Sequence, residues 1–304
     1  MNRRNFASLA LLALATTRAG ALSEKVRATG SLPLDLAQRL REIERGSGGR
    51  LGVHILDTAT GVEFSHRADE RFLMCSTFKT LASALVLRRV DLGQESLTRR
   101  IVFGAADMVP NSPVSEQRVG GDGMSMGELC EATLTTSDNV AANLILASYG
   151  GPAALTAFAR SIGDTVTRFD RNEPSANIWH GEHDTTTPRA AVHGMQRVLL
   201  GDVLTPKSRE QLRQWMLAAT TGTKRLKAGL PAGWTIADRT GAASDKNDGG
   251  TSNDIAVVWP PGSGAPLLVT AYLTRSSASF EARNATLAQV GHLLPLIVDQ
   301  RTTR

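Results

Sequence analysis

The sequence predicts an α+β fold: an antiparallel sheet flanked by terminal helices, with an all-helical lobe inserted between the first and last strands. Three observations carry this. Alternating apolar residues lie near the N-terminus, three strand-like runs lie beyond residue 230, and helical spacing dominates between them. Strands from opposite ends of a chain pair in one sheet when the helices between them loop out as a second lobe. The cleft between two such lobes is where a site is expected.

Asp35 to Arg45 carries apolar residues at helical spacing (Leu36, Leu40, Ile43) and stops at Gly46-Ser47-Gly48-Gly49. Leu51, Val53 and Ile55 alternate, Asp57 to Gly61 turns, and Val62 and Phe64 alternate again, which reads as a β-hairpin. Ser76 to Val90 reads as a helix ending near Gly93. From Met124 to about Leu200 the pattern is helical, with loops at Ser137–Asn139, Gly150–Pro152 and Arg171–Asp184. Pro206 to Ala219 is a further helix. Trp234–Arg239, Ile255–Trp259 and Leu267–Leu273 are strand-like, and Ala282 to Val298 closes the chain as one long amphipathic helix. No linker separates independent domains. Residues 22–304 are expected to form a single domain, its α/β lobe about 22–85 and 206–304 and its helical lobe about 86–205.

The chain has 304 residues, 41% hydrophobic and 21% charged, which excludes disorder; no repeat of solenoid or propeller length is present. A net charge of +5 and an isoelectric point near 9.6 raise a nucleic-acid or membrane partner. Residues 1–21 weaken that reading. Arg3 and Arg4, an apolar run from Phe6 to Ala15 and Ala19-Gly20-Ala21 form an export signal, and the run is shorter than the ~20 residues a spanning helix needs. The adjacent arginines fit either an ordinary secretory signal or a twin-arginine address. Either one puts the protein in the periplasm or outside the cell. Removing three arginines and no acid from 34 basic and 29 acidic residues leaves +2. No basic stripe with interleaved aromatics remains, so no nucleic-acid partner is expected, and no membrane association once the signal is removed.

Three short segments carry chemistry. Ser76-Thr77-Phe78-Lys79 sets a hydroxyl and an amine three residues apart at a helix start, where a desolvated lysine can activate a serine. Ser137-Asp138-Asn139 sits in a break between helices; it reads as a helix cap or as a proton-relay hydroxyl beside an orienting amide. Arg239-Thr240-Gly241 ends a strand-like run; it reads as a strand-end turn, or as a cation and hydroxyl facing a cleft with a glycine permitting close approach. Singly each is unspecific. Together, in this order, they match the S-x-x-K, S-D-N and K-T-G set.

On these motifs the chain resembles a class A serine β-lactamase, of the serine penicillin-recognising enzymes, over nearly its whole mature length. Asn111-Ser112-Pro113-Val114, Glu128 to Thr133, Asp184-Thr185-Thr186-Thr187-Pro188 and Ile255 to Pro260 support it. The resemblance implies that Ser76 is the nucleophile and Lys79 a base. Ser137 would relay the proton to the leaving nitrogen, and Asn139 would orient the substrate amide. Arg171-Asn172-Glu173-Pro174 with Asn177 resembles the family's Ω-loop, with Arg171 and Asp184 pairing across its base. A carboxylate and an amide four residues apart, Glu173 and Asn177, would then fix the water that frees Ser76. The backbone N–H groups of Ser76 and Ala242 would form the oxyanion site. Arg239, Thr240, Gly241 and a second cation, Arg225, would bind the substrate carboxylate. No cofactor or metal is implied, the partner is a small β-lactam, and a monomer is expected.

Departures from the family pattern matter. Arg239 stands where most members have lysine, a weak pointer to penicillins, and Asn111 stands where a cleft-edge aromatic is usual. Ala243 and Ser83 occupy the positions that would pair with Cys75 and Cys130, so two free thiols are expected. His180-Gly181-Glu182-His183 fits no H-E-x-x-H helix and reads as a solvated loop rather than a metal site. The remaining histidines are isolated in sequence and carry no role. Trp179, Trp215, Trp234 and Trp259 read as core. The competing readings are a penicillin-binding D,D-peptidase, a β-lactam receptor acylated without turnover, and an inactive relative. Glu173 with Asn177 argues against the first two.

Overall fold

The computed structural model describes residues 34–245 and 249–301; residues 1–21, read above as an export signal, lie outside the described residues. The chain opens with α1 (Leu34–Gly46), β1 (Arg50–Asp57), β2 (Glu63–His66) and the short β3 (Phe72–Leu73), then a 3-10 turn over Cys75–Phe78 that leads into α2 (Lys79–Asp91). The short strands β4 (Arg100–Ile101) and β5 (Met124–Ser125) frame a loop-rich stretch, followed by α3 (Met126–Thr135), α4 (Asn139–Ser148) and α5 (Pro152–Ser161). After β6 (Thr185–Thr186) come α6 (Pro188–Leu199), α7 (Pro206–Leu217), β7 (Thr235–Asp245), β8 (Gly249–Trp259), β9 (Leu267–Ser276), α8 (Phe280–Gly291) and α9 (Leu294–Asp299).

The sheet is antiparallel with strand order β2-β1-β9-β8-β7, so the N-terminal hairpin and the C-terminal strands form one layer. This is the α+β architecture expected from strands at both ends of the chain. Each face buries its own apolar cluster. Leu40 of α1 and Leu287 and Val290 of α8 pack with Leu51, Val53 and Val269 on one side. On the other, α2, α3, α4 and α7 supply Leu87, Leu129, Ile145 and Met216 to a core that reaches Tyr272 and Val257.

Four details differ from the sequence expectation. The helix expected from Ser76 starts as a 3-10 turn, so Ser76 precedes α2 and Lys79 opens it. The strand expected to stop at Arg239 runs on to Asp245, because its ladder with β8 continues from Arg239↔Ile255 to Asp245↔Gly249 and outweighs the weak strand propensity of small residues. The closing helix breaks after Gly291, since Pro295 lacks the N–H a continuous helix needs there. The lobes also interlock. Helix α6, placed with the helical lobe, lies on β1 and β9, while α7, placed with the sheet, packs on α2 and α3 as well as β7.

Helices α3, α6 and α7 begin on Ser125, Thr187 and Thr205 caps, each accepting a backbone N–H in the first turn. Among the described residues no single helix is long and apolar enough to cross a membrane. Cys75 and Cys130 are free and buried, and burial pushes the Cys130 thiol up to about 12. Trp215, Trp234 and Trp259 pack in or against the two cores, whereas Trp179 stacks under Arg275, 5.2 Å from its guanidinium carbon.

Because both thiols are buried and neither is bridged, a thiol reagent should find two reactive groups in denaturant and almost none in the folded protein. Fewer than two after unfolding would contradict the unbridged assignment.

Candidate active site

The turn that carries Ser76 is held from three sides. Asn253 Nδ2 donates to Leu73 O and Met74 O at 2.8 and 3.1 Å, Met74 N–H donates to Asp184 O, and Phe78 stacks on Phe169 with ring centroids 4.0 Å apart. Cys75 takes the left-handed conformation at φ 45°, a strained arrangement for a non-glycine residue that this scaffolding over-determines. Gly241 of β7 approaches the same turn so closely that a Cβ there would stand 2.7 Å from Met74 O and 3.1 Å from Ser76 N. Only glycine brings strand and turn together at this spacing.

Lys79 Nζ is fully buried and donates to Asn139 Oδ1 at 2.6 Å, Ser137 O at 2.9 Å and Ser137 Oγ at 3.3 Å. Glu173 Oε1 lies 3.3 Å from Lys79 Nζ and accepts from Ser76 Oγ at 3.2 Å. The carboxylate therefore sits between the serine and the amine that sequence spacing had placed in reach of each other. Burial lowers the Lys79 pKa to about 8, against the opposing pull of Glu173.

Ser137 adopts φ 69° in the break between α3 and α4, which turns its hydroxyl toward the cleft. Asp138 makes that conformation possible. Its carboxylate, with no exposed surface, caps α4 through Ala141 N–H and accepts from Val114 N–H, Ser115 N–H and Ser115 Oγ. The cap reading therefore holds at Asp138, next to the Ser137 hydroxyl. Asn111 Nδ2 donates to Ser137 O at 3.0 Å, so the residue in the usual aromatic's place supports the turn from outside.

The segment from Arg171 to Asp184 is closed at its base. Asp184, fully buried, accepts from Arg171 Nε at 2.6 Å and from the backbone N–H groups of Asp170 and Arg171. Arg171 also donates to Ile178 O. Within the segment Asn177 Nδ2 donates to Glu173 Oε2, and Glu173 is almost wholly buried. One functional residue escaped the sequence reading. Asn143 clamps the Glu173 backbone, accepting from its N–H and donating to its C=O, both at 2.9 Å. The available signal was its i+4 spacing from Asn139, which puts both amides on one face of α4.

Opposite, Arg239 is fully buried, its Nη2 donating to Ser137 Oγ and its Nη1 lying near Thr221 and Thr240. Desolvation lowers its pKa to about 10, so it stays cationic at neutral pH. Thr240 Oγ1 donates to Thr221 Oγ1 at 2.6 Å, adding a hydroxyl that the sequence did not single out. Ala242 is exposed on β7 beyond Gly241. Arg225, the second cation expected near the substrate carboxylate, is engaged by the protein itself. It is 3% exposed and lies behind β7, donating to Gly241 O, Asn253 O and Asn284 Oδ1. These acceptors engage Nε and Nη1, so the guanidinium braces the strand. His180 is exposed, and Glu182 between it and His183 pairs with Arg71 at 3.3 Å. Two histidines that looked isolated, His54 and His193, meet instead at ring centroids 5.9 Å apart.

Comparison with known proteins bears on what this arrangement does. Residues 35–298 match the β-lactamase enzyme family. The chain is 42% identical to β-lactamase L2 of Stenotrophomonas maltophilia, covering 97% of this chain and 99% of that protein, and 46% identical to a β-lactamase of Streptomyces fradiae, covering 84% of each. The solved structure of an ancestral class A β-lactamase superposes with a TM-score of 0.83 at 56% identity, covering 86% of this chain and 99% of that one.

Arg171→Ala leaves Asp184 buried with its two N–H donors and no cation. Since Arg171 is itself partly exposed, we expect a loss of about 1–3 kcal/mol and faster proteolysis within 171–184. Unchanged denaturation and cleavage would contradict this role.

Proposed function

Since the chain belongs to the class A β-lactamases, enzymes that hydrolyse β-lactams, we propose that it opens the ring of penicillin-type antibiotics through an acyl-enzyme on Ser76. The observation that carries this reading is Glu173, whose one carboxylate reaches Ser76 Oγ, Lys79 Nζ and Asn177 together.

In the proposed sequence Ser76 Oγ loses its proton, directly to Lys79 or through water to Glu173, and bonds to the lactam carbonyl carbon. The developing oxyanion takes hydrogen bonds from the backbone N–H groups of Ser76 and Ala242. The ring C–N bond breaks as Ser137, between Lys79 and Arg239, passes a proton to the nitrogen. Asn139 orients the substrate amide, and Thr240, with the fixed charge of Arg239 behind it, receives the substrate carboxylate. A water held by Glu173 and Asn177 then attacks the ester, its proton going to Glu173, and Ser76 is released. The buried carboxylate favours this reading over a D,D-peptidase or a receptor, both of which stop at or transfer the acyl group. We also propose that residues 1–21 export the enzyme to the periplasm or beyond and are then removed.

The purified mature enzyme should turn over benzylpenicillin and a chromogenic cephalosporin; stoichiometric acylation without turnover would favour the peptidase or the receptor. Glu173→Ala should accumulate acyl-enzyme, with deacylation slowed about 10²–10⁴-fold, as followed by intact-protein mass. Normal turnover by that variant would remove Glu173 from its role. In the same variant single-turnover acylation separates the two candidate bases. If neutral Lys79 serves, the rate rises with pH and levels off with a midpoint below about 8, because the carboxylate that favours the ammonium is gone. A flat profile would exclude Lys79. Cell fractionation should find the chain outside the cytoplasm, lacking residues 1–21; retention of the segment would refute the export reading.

A further inference from the structure

A second cluster of chemically capable side chains lies away from the catalytic cleft. Register places it. His54 of β1 pairs opposite Ser65 of β2, and Glu63 pairs opposite Leu56, so Glu63 stands diagonally from His54 across one hairpin. Helix α6 crosses β1 and brings His193 to the same spot. Glu63 Oε2 lies 3.5 Å from His54 Nε2, and Glu63 Oε1 lies 3.9 Å from His193 Nε2. One ligand atom from each of the three residues falls within 4.8 Å of the others. In a tetrahedral zinc site with bonds of about 2.0–2.1 Å, ligand atoms stand roughly 3.4 Å apart. Spacings of up to 4.8 Å therefore need a contraction of up to about 1.4 Å, and His193, with 27% of its side chain exposed, has room to supply part of it.

The surroundings match what such a site needs. His54 has no exposed surface and its Nδ1 lies 2.9 Å from Ser65 Oγ. In the tautomer that donates Nδ1–H to Ser65 Oγ, the Nε2 lone pair is on the side of Glu63 and His193, the outer-shell arrangement that orients a ligating imidazole. Arg189 donates to Glu63 Oε2 at 2.6 Å and also pairs with Asp69 at 2.8 Å. The two carboxylates and one guanidinium leave one surplus negative charge beside two imidazoles, which favours a dication. Glu63 Oε1, 3.9 Å from His193 Nε2 and not the oxygen that accepts from Arg189, offers the ligating oxygen. His193 and Arg189 line an open cavity of about 620 Å³, which gives an ion an entry path and space for water as a fourth ligand.

We propose that His54, Glu63 and His193 form a binding site for one borderline divalent cation of the zinc or cobalt type, separate from the catalytic centre. Two imidazoles and a carboxylate select such ions over calcium or magnesium, which prefer all-oxygen sites. The site clasps β1, β2 and α6 together, so its effect is on the hairpin–helix junction.

The test uses the full mature enzyme, prepared without a histidine tag and stripped with chelator. Calorimetric titration with zinc chloride should show one equivalent bound, and cobalt chloride should give the visible absorption of a four-coordinate nitrogen–oxygen site. His193→Ala, on a partly exposed helix position, should weaken zinc binding at least about tenfold while its β-lactam hydrolysis reports an intact fold. His180→Ala/His183→Ala should bind as the parent does. No binding by the parent, equal binding by His193→Ala, or loss that follows His180 and His183 would each overturn the assignment.

Discussion

One buried ammonium organises the active site. Lys79 Nζ has no exposed surface, so each of its donors must find an acceptor inside the protein or the burial is untenable. The acceptors come from three separate elements: Ser137 in the α3–α4 break, Asn139 at the start of α4 and Glu173 in the closed loop. Satisfying one cation thus fixes the positions of the Ser137 hydroxyl, the Asn139 amide and the Glu173 carboxylate. The lowered pKa records the cost. A group whose folded pKa falls from 10.5 to about 8 binds fewer protons folded than unfolded between those values. Its burial therefore weakens the fold below pH 8, and the penalty is relieved as pH rises toward 10.5.

The scaffolding around that ammonium is built from groups that hold other residues in place. Asp138 accepts four hydrogen bonds to hold Ser137 at its left-handed φ, Asp184 closes the loop that carries Glu173, and Asn143 grips the Glu173 backbone. Arg225 does the same for β7 from behind. The site's side chains are oriented by partners that are themselves anchored by further hydrogen bonds, which is how a site keeps its geometry to fractions of an ångström.

What the sequence disclosed follows from how local each signal is. The α+β architecture was legible because alternation in Leu51–Phe64 and Leu267–Leu273 and helical spacing between them are short-range patterns. So were the residues that share the cleft, because three motifs in order identify a family. The long reach of β7 was not legible, since Gly241, Ala242 and Ala243 have no strand preference and depend on β8 for their ladder. The burial of Arg225 against Gly241 O and Asn253 O was not legible either: the resemblance names the residue, not the groups its side chain engages. Thr221 lies in no motif, and Asn143 offered only its i+4 spacing from Asn139. His54, Glu63 and His193 meet only through hairpin register and a crossing helix, neither of which a linear pattern reveals.

The sheet order has a consequence for how the protein is made. Strand β1 lies between β2 and β9, so Arg50 pairs with Thr274 and Asp57 with Leu267. A ribosome releases the first partner more than two hundred residues before the second. Until β9 emerges, β1 presents an open edge and its apolar face lacks Leu287 and Val290. Contacts this distant along the chain slow folding, and the nascent polypeptide stays incomplete until nearly all of it has been synthesised. The early hairpin must therefore be kept from pairing with other chains throughout translation.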